Sequence, residues 1–309
     1  MSPNPDLSVV IPVHNEASTL EDLHHRLGQT LKSVGRSYEV IVVDDGSTDA
    51  SADLLRLLRE RDRTLRVVRL NRNYGQHAAV FAGLERARGA VVITMDGDLQ
   101  NPPEEIPALL LKIDEGYDVV GGRRESRHDP LFRRVGSRLI NRLTSLIVGV
   151  PMRDYGCMLR AYRRTVVEQL LRCQEISSFI PALANCFAGR VAEVPVAHHP
   201  RQAGRSRYGL FRLLRLCFDL LTGFSLLPIQ MVSLSGVAIA IAGLGFSLFL
   251  GIRRLVVGPE VEGVFTLFAI LFFFVGLQIL ALGLIGEYVG RIYQEVRRRP
   301  RYVVHEVWE

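Results

Sequence analysis

Two aspartates separated by one glycine follow an apolar run in VVITMDGDLQNPPEEIP, residues 91–107. At a strand end, residues two apart point to the same side, so Asp96 and Asp98 can face one cation with Gln100 nearby. Gly97 leaves room between them for a bulky anion. Carboxylate oxygens suit Mg²⁺ or Mn²⁺, which keep coordination positions for phosphate. The pattern predicts a metal site that holds a diphosphate; an acidic turn that caps the next helix is the alternative.

A second acidic cluster, VDDGSTD at residues 43–49, also follows an apolar run. Gly46 permits a tight turn, and a polar residue after it can cap the next helix. Capping does not use every carboxylate of the cluster. Asp44 or Asp45 is therefore predicted to hydrogen-bond a nucleobase or a ribose.

Two more polar clusters have a similar position. LNRNYGQHAAV at residues 70–80 places Asn71 and its polar neighbours just before a predicted helix, where backbone N–H groups attract anions. His77 in that segment is predicted to be structural. In IPVHNE, residues 11–16, His14 is predicted either to stack on a base or to fill a loop.

The first half of the chain alternates short β-branched runs with helical patterns. Strands are predicted at 7–13, 38–44, 65–70, 90–96 and 117–122, with helices including 17–34 and 50–62. Buried runs that alternate with helices indicate an α/β domain with a largely parallel sheet. Ligands of such sheets bind beyond the carboxyl ends of the strands, and all four polar clusters fall there.

The C-terminal third contains two uncharged apolar stretches, residues 231–252 and 264–286. Each is long enough to cross a membrane as a helix, which needs ~20 residues. Arginines are more frequent in the C-terminal tail than in the loop between the stretches. This bias favours a cytoplasmic tail and, after two crossings, a cytoplasmic N-terminal domain.

These patterns predict four parts of the chain. They are a cytoplasmic α/β domain at 1–206, an amphipathic juxtamembrane helix at 207–228, a two-helix transmembrane hairpin at 229–287 and a cytoplasmic tail at 288–309. Within the first part, about 130–149, apolar residues at helical spacing accompany arginines. Such basic helices lie either in the membrane interface or in an ordinary protein core.

Composition limits the choice of partners. The 309 residues are 48% apolar with a net charge of +6, and nearly all basic residues are arginine. Arginine suits phosphate, although a GC-rich genome would also explain its excess. Basicity fits anionic lipid, whereas no zinc-ligand spacing or helix-turn-helix pattern supports nucleic-acid binding. The four cysteines form no CxxC pair and no signal peptide is recognisable, so reduced, structural thiols are expected.

VVIPVHNE, VVDDGSTD and MDGDLQ together resemble the inverting family 2 glycosyltransferases, which have the GT-A fold. Longer strings, among them LNRNYGQHAAVFAGLERARG and DYGCMLRAYRR, resemble the polyprenyl-phosphate branch of that family. The likeness runs from about Leu7 to Trp308. It implies a UDP-sugar donor, Mg²⁺ or Mn²⁺, undecaprenyl phosphate as acceptor, the cytoplasmic face of a bacterial inner membrane, and a homo-oligomer, often a tetramer.

The resemblance also implies roles for individual residues. Those matching the family's functional positions are Pro12, Glu16, Asp44 and Asp45 for the nucleoside, Asp96, Asp98 and Gln100 for metal and diphosphate, Arg123, Arg133 and Ser137 for the acceptor phosphate, and Arg201 and Arg205 for a loop closing over the donor. The sequence departs from the family where His14 replaces a common tyrosine. It departs again where Arg205 and Arg207 replace glutamate and lysine.

The expected mechanism follows from the acceptor. A phosphate monoester is already anionic near neutral pH, since its second pKa is about 6, so arginines and a metal held by Asp98 could suffice. Asp154 is the candidate if a general base exists; a hydrogen-bonding role in a turn is the alternative. Other candidate functions are a glucosyl or mannosyl transferase to the same lipid and a non-catalytic nucleotide-sugar-binding scaffold. The QxxRW motif of processive synthases is missing, since the only tryptophan is Trp308.

Overall fold

The computed structural model describes residues 4–124, 141–142, 144–146, 148–173, 179–199, 218, 222, 226–257, 264–297 and 299–309. The chain divides into two compact units. One comprises Met1–Gly209 together with Arg299–Glu309, and the other comprises Leu210–Arg298. The C-terminal residues therefore belong to the unit that contains the N-terminal half.

The first unit alternates strands and helices, as the sequence predicts. In chain order they are β1 Leu7–Val13, α1 Leu20–Val34, β2 Tyr38–Asp44, α2 Ser51–Arg61, β3 Leu65–Leu70, α3 Gln76–Arg86, β4 Val91–Thr94, a 3₁₀ turn Pro103–Glu105 leading into α4 Ile106–Asp114, β5 Val119–Arg124, β6 Arg160–Arg163, α5 Arg164–Arg172, α6 Ile180–Phe187, β7 Val191–Val196 and, near the C-terminus, β8 Val304–Trp308.

The described strands form one sheet in the order β7-β5-β6-β4-β1-β2-β3-β8. β1 pairs in parallel with both β2 and β4, and β2 pairs in parallel with β3. β6 is antiparallel to β4 and β5, while β7 is parallel to β5. The predicted α/β class with a largely parallel sheet is confirmed.

Burial explains why these segments become parallel strands and covering helices. β1 and β2 are almost entirely buried, as expected for strands covered on both faces. Leu20, Leu23, Leu27 and Leu31 recur at helical spacing along α1 and are at most 2% exposed. Each such leucine contributes roughly 1.5–3 kcal/mol when buried. The helix ends at Gly35, which is in the left-handed conformation with φ 69°.

The second unit contains two long apolar helices, α7 Leu227–Val257 and α8 Val264–Val296. Within the described residues, one helical segment, Phe273–Val296, is long and apolar enough to cross a membrane, and none of its most apolar window is buried. Leu227–Gly243 is a shorter apolar segment. Both predicted apolar stretches are helical, as expected.

Two predicted elements fall largely outside the described residues. Of the amphipathic segment about 130–149, residues 141–142, 144–146 and 148 are helical. Of the juxtamembrane segment 207–228, residues 218, 222 and 226–228 are described. The positions of these segments relative to a membrane remain predictions.

The C-terminal residues form a strand that the sequence analysis does not predict. β8 pairs antiparallel with β3, with Val67 opposite Trp308 and Val68 opposite Val307. The guanidinium of Arg56 lies over the Trp308 ring at 4.9 Å. The tail assigned to 288–309 thus ends as a strand of the sheet in the first unit.

Candidate functional site

The polar clusters meet at one edge of the sheet, as predicted. β1, β2 and β4 are adjacent parallel strands, so their carboxyl ends lie side by side. The loops after β1 and β2 are joined directly: the Asp45 N–H donates to the Val13 carbonyl at 2.8 Å, and the Asn15 N–H donates to the Ser47 hydroxyl at 3.0 Å. His14 Nδ1 lies 2.9 Å from the Asp45 carbonyl. This contact holds His14 beside Asp45, and the His14 residue is exposed, so base stacking and loop filling both stay predictions.

Asp44 and Asp45 have different surroundings. Asp44 is 1% exposed, its Oδ1 accepts the Ser47 N–H at 2.9 Å, and its Oδ2 lies 3.4 Å from Nε of Arg69. Within the described part of the chain, Asp44 Oδ2 has no hydrogen-bond partner. A buried acceptor without a partner has a substantial desolvation cost. Asp44 therefore keeps an acceptor available for a ligand hydroxyl or N–H.

Asp45 instead holds the loop that follows β3. Its two carboxylate oxygens accept the backbone N–H groups of Tyr74 at 2.7 Å and Gly75 at 2.9 Å. Burial raises the pKa of the Asp45 carboxyl, and these two hydrogen bonds oppose that increase. Asp45 fixes the loop that carries Asn71, a role the sequence analysis missed. No local sequence signal indicates it, because the partners are 29 and 30 residues away.

The Asp96–Asp98 pair lies directly after β4 and is half-buried. Gly97 between them has no side chain. A Cβ at this position would lie 3.2 Å from Cγ2 of Val13 and 3.4 Å from the Pro12 carbonyl oxygen. Pro12 therefore borders the pair from β1. The Gly97 carbonyl accepts the hydroxyl of Thr19 at 3.0 Å. A larger residue at position 97 would therefore have to displace the Val13 methyl group by a few tenths of an ångström.

Neighbouring residues donate hydrogen bonds to both aspartates. The side-chain amide of Gln76, at the start of α3, donates to Oδ1 of Asp96. Asp98 Oδ1 accepts the backbone N–H of Gln100 at 3.1 Å, which closes a tight turn through Leu99 at φ 58°. The sequence analysis missed Gln76. Gln100 contacts Asp98 through the Gln100 backbone N–H and not through the Gln100 side chain.

The donor set fits a hard divalent cation. No group of three or more metal-ligating His, Cys, Asp or Glu side chains occurs among the described residues. Mg²⁺ and Mn²⁺ need no such cage, since one or two carboxylates and substrate phosphates complete their coordination. Asp96 and Asp98 meet that requirement.

Asp154 is paired with an arginine that the sequence analysis did not select. Arg124, the last residue of β5, donates from Nε to Asp154 Oδ2 at 2.7 Å and from Nη2 to Oδ1 at 2.8 Å. The side chains are 21% and 3% exposed. Burial disfavours the Arg124 charge, but the hydrogen bond and charge of Asp154, with smaller effects of Cys157 and Asp96, raise the pKa of Arg124.

A fully buried arginine shapes the loop that carries Asp154. Arg160, 0% exposed, donates from Nε to the Cys157 carbonyl at 2.9 Å and from Nη2 to the Asp154 carbonyl at 3.0 Å. The backbone N–H of Asp154 donates to Glu193 at 2.9 Å. The segment DYGCMLRAYRR thus contains a turn that is held by the buried Arg160 side chain.

The remaining predicted residues are only partly described. Glu16 is half-buried beside the loops of β1 and β2, and its backbone N–H donates to the Ser51 hydroxyl at 3.1 Å. Arg123 is half-buried next to Arg124. Four predicted residues lie outside the described residues: Arg133, Ser137, Arg201 and Arg205.

The beginning of the loop assigned to donor closure is described. The His199 N–H donates to the Gln100 carbonyl at 2.8 Å, and the Ala197 N–H donates to Glu105 Oε1 at 3.0 Å. The segment that leads to Arg201 is therefore attached to the turn after Asp98.

A largely parallel α/β sheet with an Asp-Gly-Asp turn and a buried aspartate pair at its carboxyl edge defines a GT-A type of glycosyltransferase. The chain belongs to glycosyl transferase family 2, whose model matches residues 8–171. Undecaprenyl-phosphate 4-deoxy-4-formamido-L-arabinose transferase of Salmonella paratyphi B is 50% identical over 309 residues, covering 99% of this chain and 94% of that protein.

One solved structure shows the same fold at low identity, and a second has a lower score. Mannosyl-3-phosphoglycerate synthase from Rubrobacter xylanophilus matches with a TM-score of 0.52 at 15% identity, covering 70% of this chain and 72% of that one. Glucosyl-3-phosphoglycerate synthase from Mycobacterium tuberculosis, solved with Mn²⁺ and uridine diphosphate, matches with a TM-score of 0.49 at 20% identity, covering 71% and 78%. The resemblance to family 2 stated from the motifs is confirmed by the family match.

Proposed function

We propose that this glycosyltransferase transfers 4-deoxy-4-formamido-L-arabinose from its UDP-sugar to undecaprenyl phosphate, with inversion at the anomeric carbon. The product would serve the modification of lipid A that reduces polymyxin binding. The observation that carries the proposal is the 50% identity along the whole chain to transferases of that name. The site supports it, because the aspartates that such chemistry needs converge at one sheet edge.

The donor nucleoside is assigned to the edge formed by β1 and β2. Asp44 keeps a buried acceptor oxygen for a ribose or uracil group, while Asp45 holds the neighbouring loop. Pro12, His14 and Glu16 border the same edge on the β1 side. Asn71 begins the loop that Asp45 holds, at the end of β3.

The diphosphate is assigned to the Asp96–Asp98 turn. A bound Mg²⁺ or Mn²⁺ would neutralise negative charge on the departing diphosphate. Asp96 and Asp98 would hold that cation, with Gln100 at the turn they form. Arg201 and Arg205 are assigned to the loop that closes over the donor.

The acceptor requires orientation more than deprotonation. A phosphate monoester, with a second pKa of about 6, is a nucleophilic anion at neutral pH. Its oxygen attacks the anomeric carbon from the side opposite the leaving diphosphate, and the bond to the diphosphate breaks. Arg123, Arg133 and Ser137 are assigned to the acceptor phosphate, so that the chain supplies positioning charges.

The lipid acceptor explains the apolar helices. α7 and α8 expose large apolar side chains, for example Leu255 at 89%, and removing such surface from water is favourable. We assign them to a transmembrane hairpin. β8 follows α8 in the chain and pairs with β3 of the first unit, which supports our assignment of both ends of the hairpin to one side of the membrane. An even number of crossings satisfies this condition, and the arginine bias places that side in the cytoplasm.

Mass spectrometry of the lipid product tests the proposal. The purified full chain, with UDP-4-deoxy-4-formamido-L-arabinose, undecaprenyl phosphate and Mg²⁺ or Mn²⁺, is expected to give the formamido-arabinosyl lipid. Asp98→Ala is expected to abolish the product because it removes half of the carboxylate pair. Asp114→Ala removes an exposed carboxylate that pairs with Arg36 at the surface and serves as the matched control.

Three outcomes would contradict parts of this proposal. A higher rate with UDP-glucose or another UDP-sugar would reject the assigned donor and leave the transferase class intact. Full activity in chelator, with Asp96 and Asp98 both changed to alanine, would reject the role of the acidic pair. Binding of UDP without any turnover would point to a scaffold.

A further inference from the structure

The residues that follow α8 reach the carboxyl edge of the sheet. β8 runs antiparallel to β3, with Val304 opposite Leu70 and Trp308 opposite Val67. The beginning of β8 therefore lies at the edge that carries the polar clusters, and its end lies toward the opposite edge. The segment 301–303, directly before β8, is thus placed beside the loop that follows β3.

This segment and Asp45 hold the two ends of the loop between β3 and α3. At the start of the loop, the Asn71 N–H donates to the Val303 carbonyl at 3.1 Å. At its end, the N–H groups of Tyr74 and Gly75 donate to the Asp45 carboxylate at 2.7 and 2.9 Å. The loop that leads into α3 is therefore fixed from the C-terminal side as well as from the loop after β2.

The same segment contacts α3 through two side chains. The guanidinium of Arg301 lies over the Phe81 ring at 4.1 Å, and the hydroxyl of Tyr302 donates to the Glu85 carboxylate. Burial and the nearby carboxylate raise the pKa of Tyr302, so its hydroxyl remains protonated and able to donate at neutral pH. Phe81 and Glu85 are four residues apart and therefore share one face of the helix.

The opposite face of α3 packs against the sheet. A Cβ at Gly83 would lie 2.3 Å from Cγ1 of Val10 in β1, so the helix touches β1 at this position. Residues two apart in a helix are about 200° apart around its axis, which places Gly83 opposite Phe81 and Glu85. α3 is therefore held between β1 and the segment 301–303. Contacts on both faces fix the rotation of the helix about its own axis.

The rotation of α3 matters because the helix begins at Gln76, whose side-chain amide donates to the Asp96 carboxylate. We propose that Arg301 and Tyr302 are positioning residues for the donor site, which act through α3 on Gln76 and through Gln76 on Asp96. The chain that leaves α8 thereby completes the metal side of the donor site. This inference deepens the proposed function, since it rests on the cation assigned to Asp96 and Asp98.

Calorimetric titration of the full chain in detergent tests the proposal. It gives the Kd for UDP with saturating Mn²⁺ and the Kd for UDP without metal. Arg301→Ala and Tyr302→Phe are each expected to raise the Kd with Mn²⁺ by about 2-fold to 10-fold, as for loss of one cation–ring contact or one hydrogen bond to a charged group. The Kd without metal should stay unchanged, because Gln76 acts on a metal-binding carboxylate.

Gln76→Ala tests the path of the effect. It should raise the same Kd, and the double variant with Arg301→Ala should bind UDP and Mn²⁺ no more weakly than Gln76→Ala alone, within about twofold. Arg301→Lys keeps the charge and the aliphatic stem, so it should recover part of the affinity. In turnover, the KM for the donor should rise in Arg301→Ala while the KM for the acceptor stays that of the wild-type chain.

Arg56→Ala is the matched control. The guanidinium of Arg56 lies over the Trp308 ring at 4.9 Å, so it makes the same kind of contact with the same strand at its far end. This variant should leave both Kd values unchanged. Hydrogen exchange of the metal-free chain adds a measurement without any ligand: Arg301→Ala should increase exchange in residues 71–76, and Arg56→Ala should not. Thermal unfolding identifies any variant that fails to fold, and Tyr302→Phe removes only one hydroxyl group.

Several results would overturn the inference. One is an unchanged Kd with Mn²⁺ in both Arg301→Ala and Tyr302→Phe. Equal losses of affinity with and without Mn²⁺ would show that the C-terminal segment only stabilises the fold. A further loss in the double variant would exclude the path through Gln76. The sugar assignment fails separately: if the wild-type chain forms no formamido-arabinosyl lipid, that donor is rejected, while the Kd values for UDP still decide the roles of Arg301 and Tyr302.

Discussion

Gly46 offers a sharp test of how the donor site is built. It has φ 65°, and a Cβ at this position would lie 2.4 Å from the carbonyl carbon of Arg72 and 2.6 Å from the backbone nitrogen of Asn73. Gly35 has a similar φ of 69°, with nothing within 4 Å of its Cβ position. Gly35→Ala therefore measures the conformational cost alone, and Gly46→Ala adds a clash between two backbones.

The magnitudes follow from these distances. A left-handed residue with a Cβ costs about 1–2 kcal/mol, and each kcal/mol lowers the Tm by roughly 2–4 °C. Gly35→Ala should thus lower the Tm by about 2–8 °C. Gly46→Ala must also displace the loop at Arg72, which loses the hydrogen bonds from Tyr74 and Gly75 to Asp45. Each is worth roughly 1.5–3 kcal/mol, or about 3–6 kcal/mol for both.

The assay is thermal unfolding of the purified full chain together with calorimetric titration of UDP. Gly46→Ala should show the larger loss of Tm and at least about tenfold weaker UDP binding, equivalent to about 1.4 kcal/mol. Gly35→Ala should bind UDP like the wild-type chain. Equal Tm losses in the two variants, with the same Kd for UDP, would refute the claim that Gly46 is required by the loop after β3.

Two other predictions concern buried titratable groups. Burial lowers the pKa of His77 to about 4, so the unfolded state binds a proton first and the folded chain is expected to lose stability as the pH falls from about 6.5 toward 4. The loss is at most about 3.4 kcal/mol, and urea unfolding of His77→Gln should not show it. An identical pH dependence in that variant would contradict the prediction. Burial raises the pKa of the Cys157 thiol to about 11, whereas Cys186 is exposed. In a Cys217→Ser background, maleimide should therefore label Cys186 and leave Cys157 unmodified until the chain unfolds, as peptide mass mapping would show.

The sequence was sufficient for the central part of the sheet because local patterns determine it. The β-branched runs at 7–13, 38–44 and 65–70 coincide with β1, β2 and β3. Parallel strands place their carboxyl ends together, so the polar clusters after them had to meet. The Asp96–Asp98 pair could be assigned for the same reason, since it follows β4 directly.

Contacts between distant segments account for what the sequence did not predict. Asp154 was considered as a base because its chain neighbours reveal nothing of Arg124, which is 30 residues away. The β6 strand was missed because RAYR carries three polar side chains, one of which, Arg160, is buried by bonding to carbonyl groups. Hydrophobic pattern cannot identify a strand whose largest buried side chain is charged.

The loop after β3 shows why such contacts matter for the site. Asp45 binds it on one side, and the chain terminus binds it on the other, where the Asn71 N–H donates to the Val303 carbonyl at 3.1 Å. The guanidinium of Arg301 also lies over the Phe81 ring of α3 at 4.1 Å. The five residues between β3 and α3, 71–75, would otherwise have little reason to adopt one conformation. Their order is therefore imposed by residues that come both earlier and much later in the chain, which no reading of the local sequence reveals.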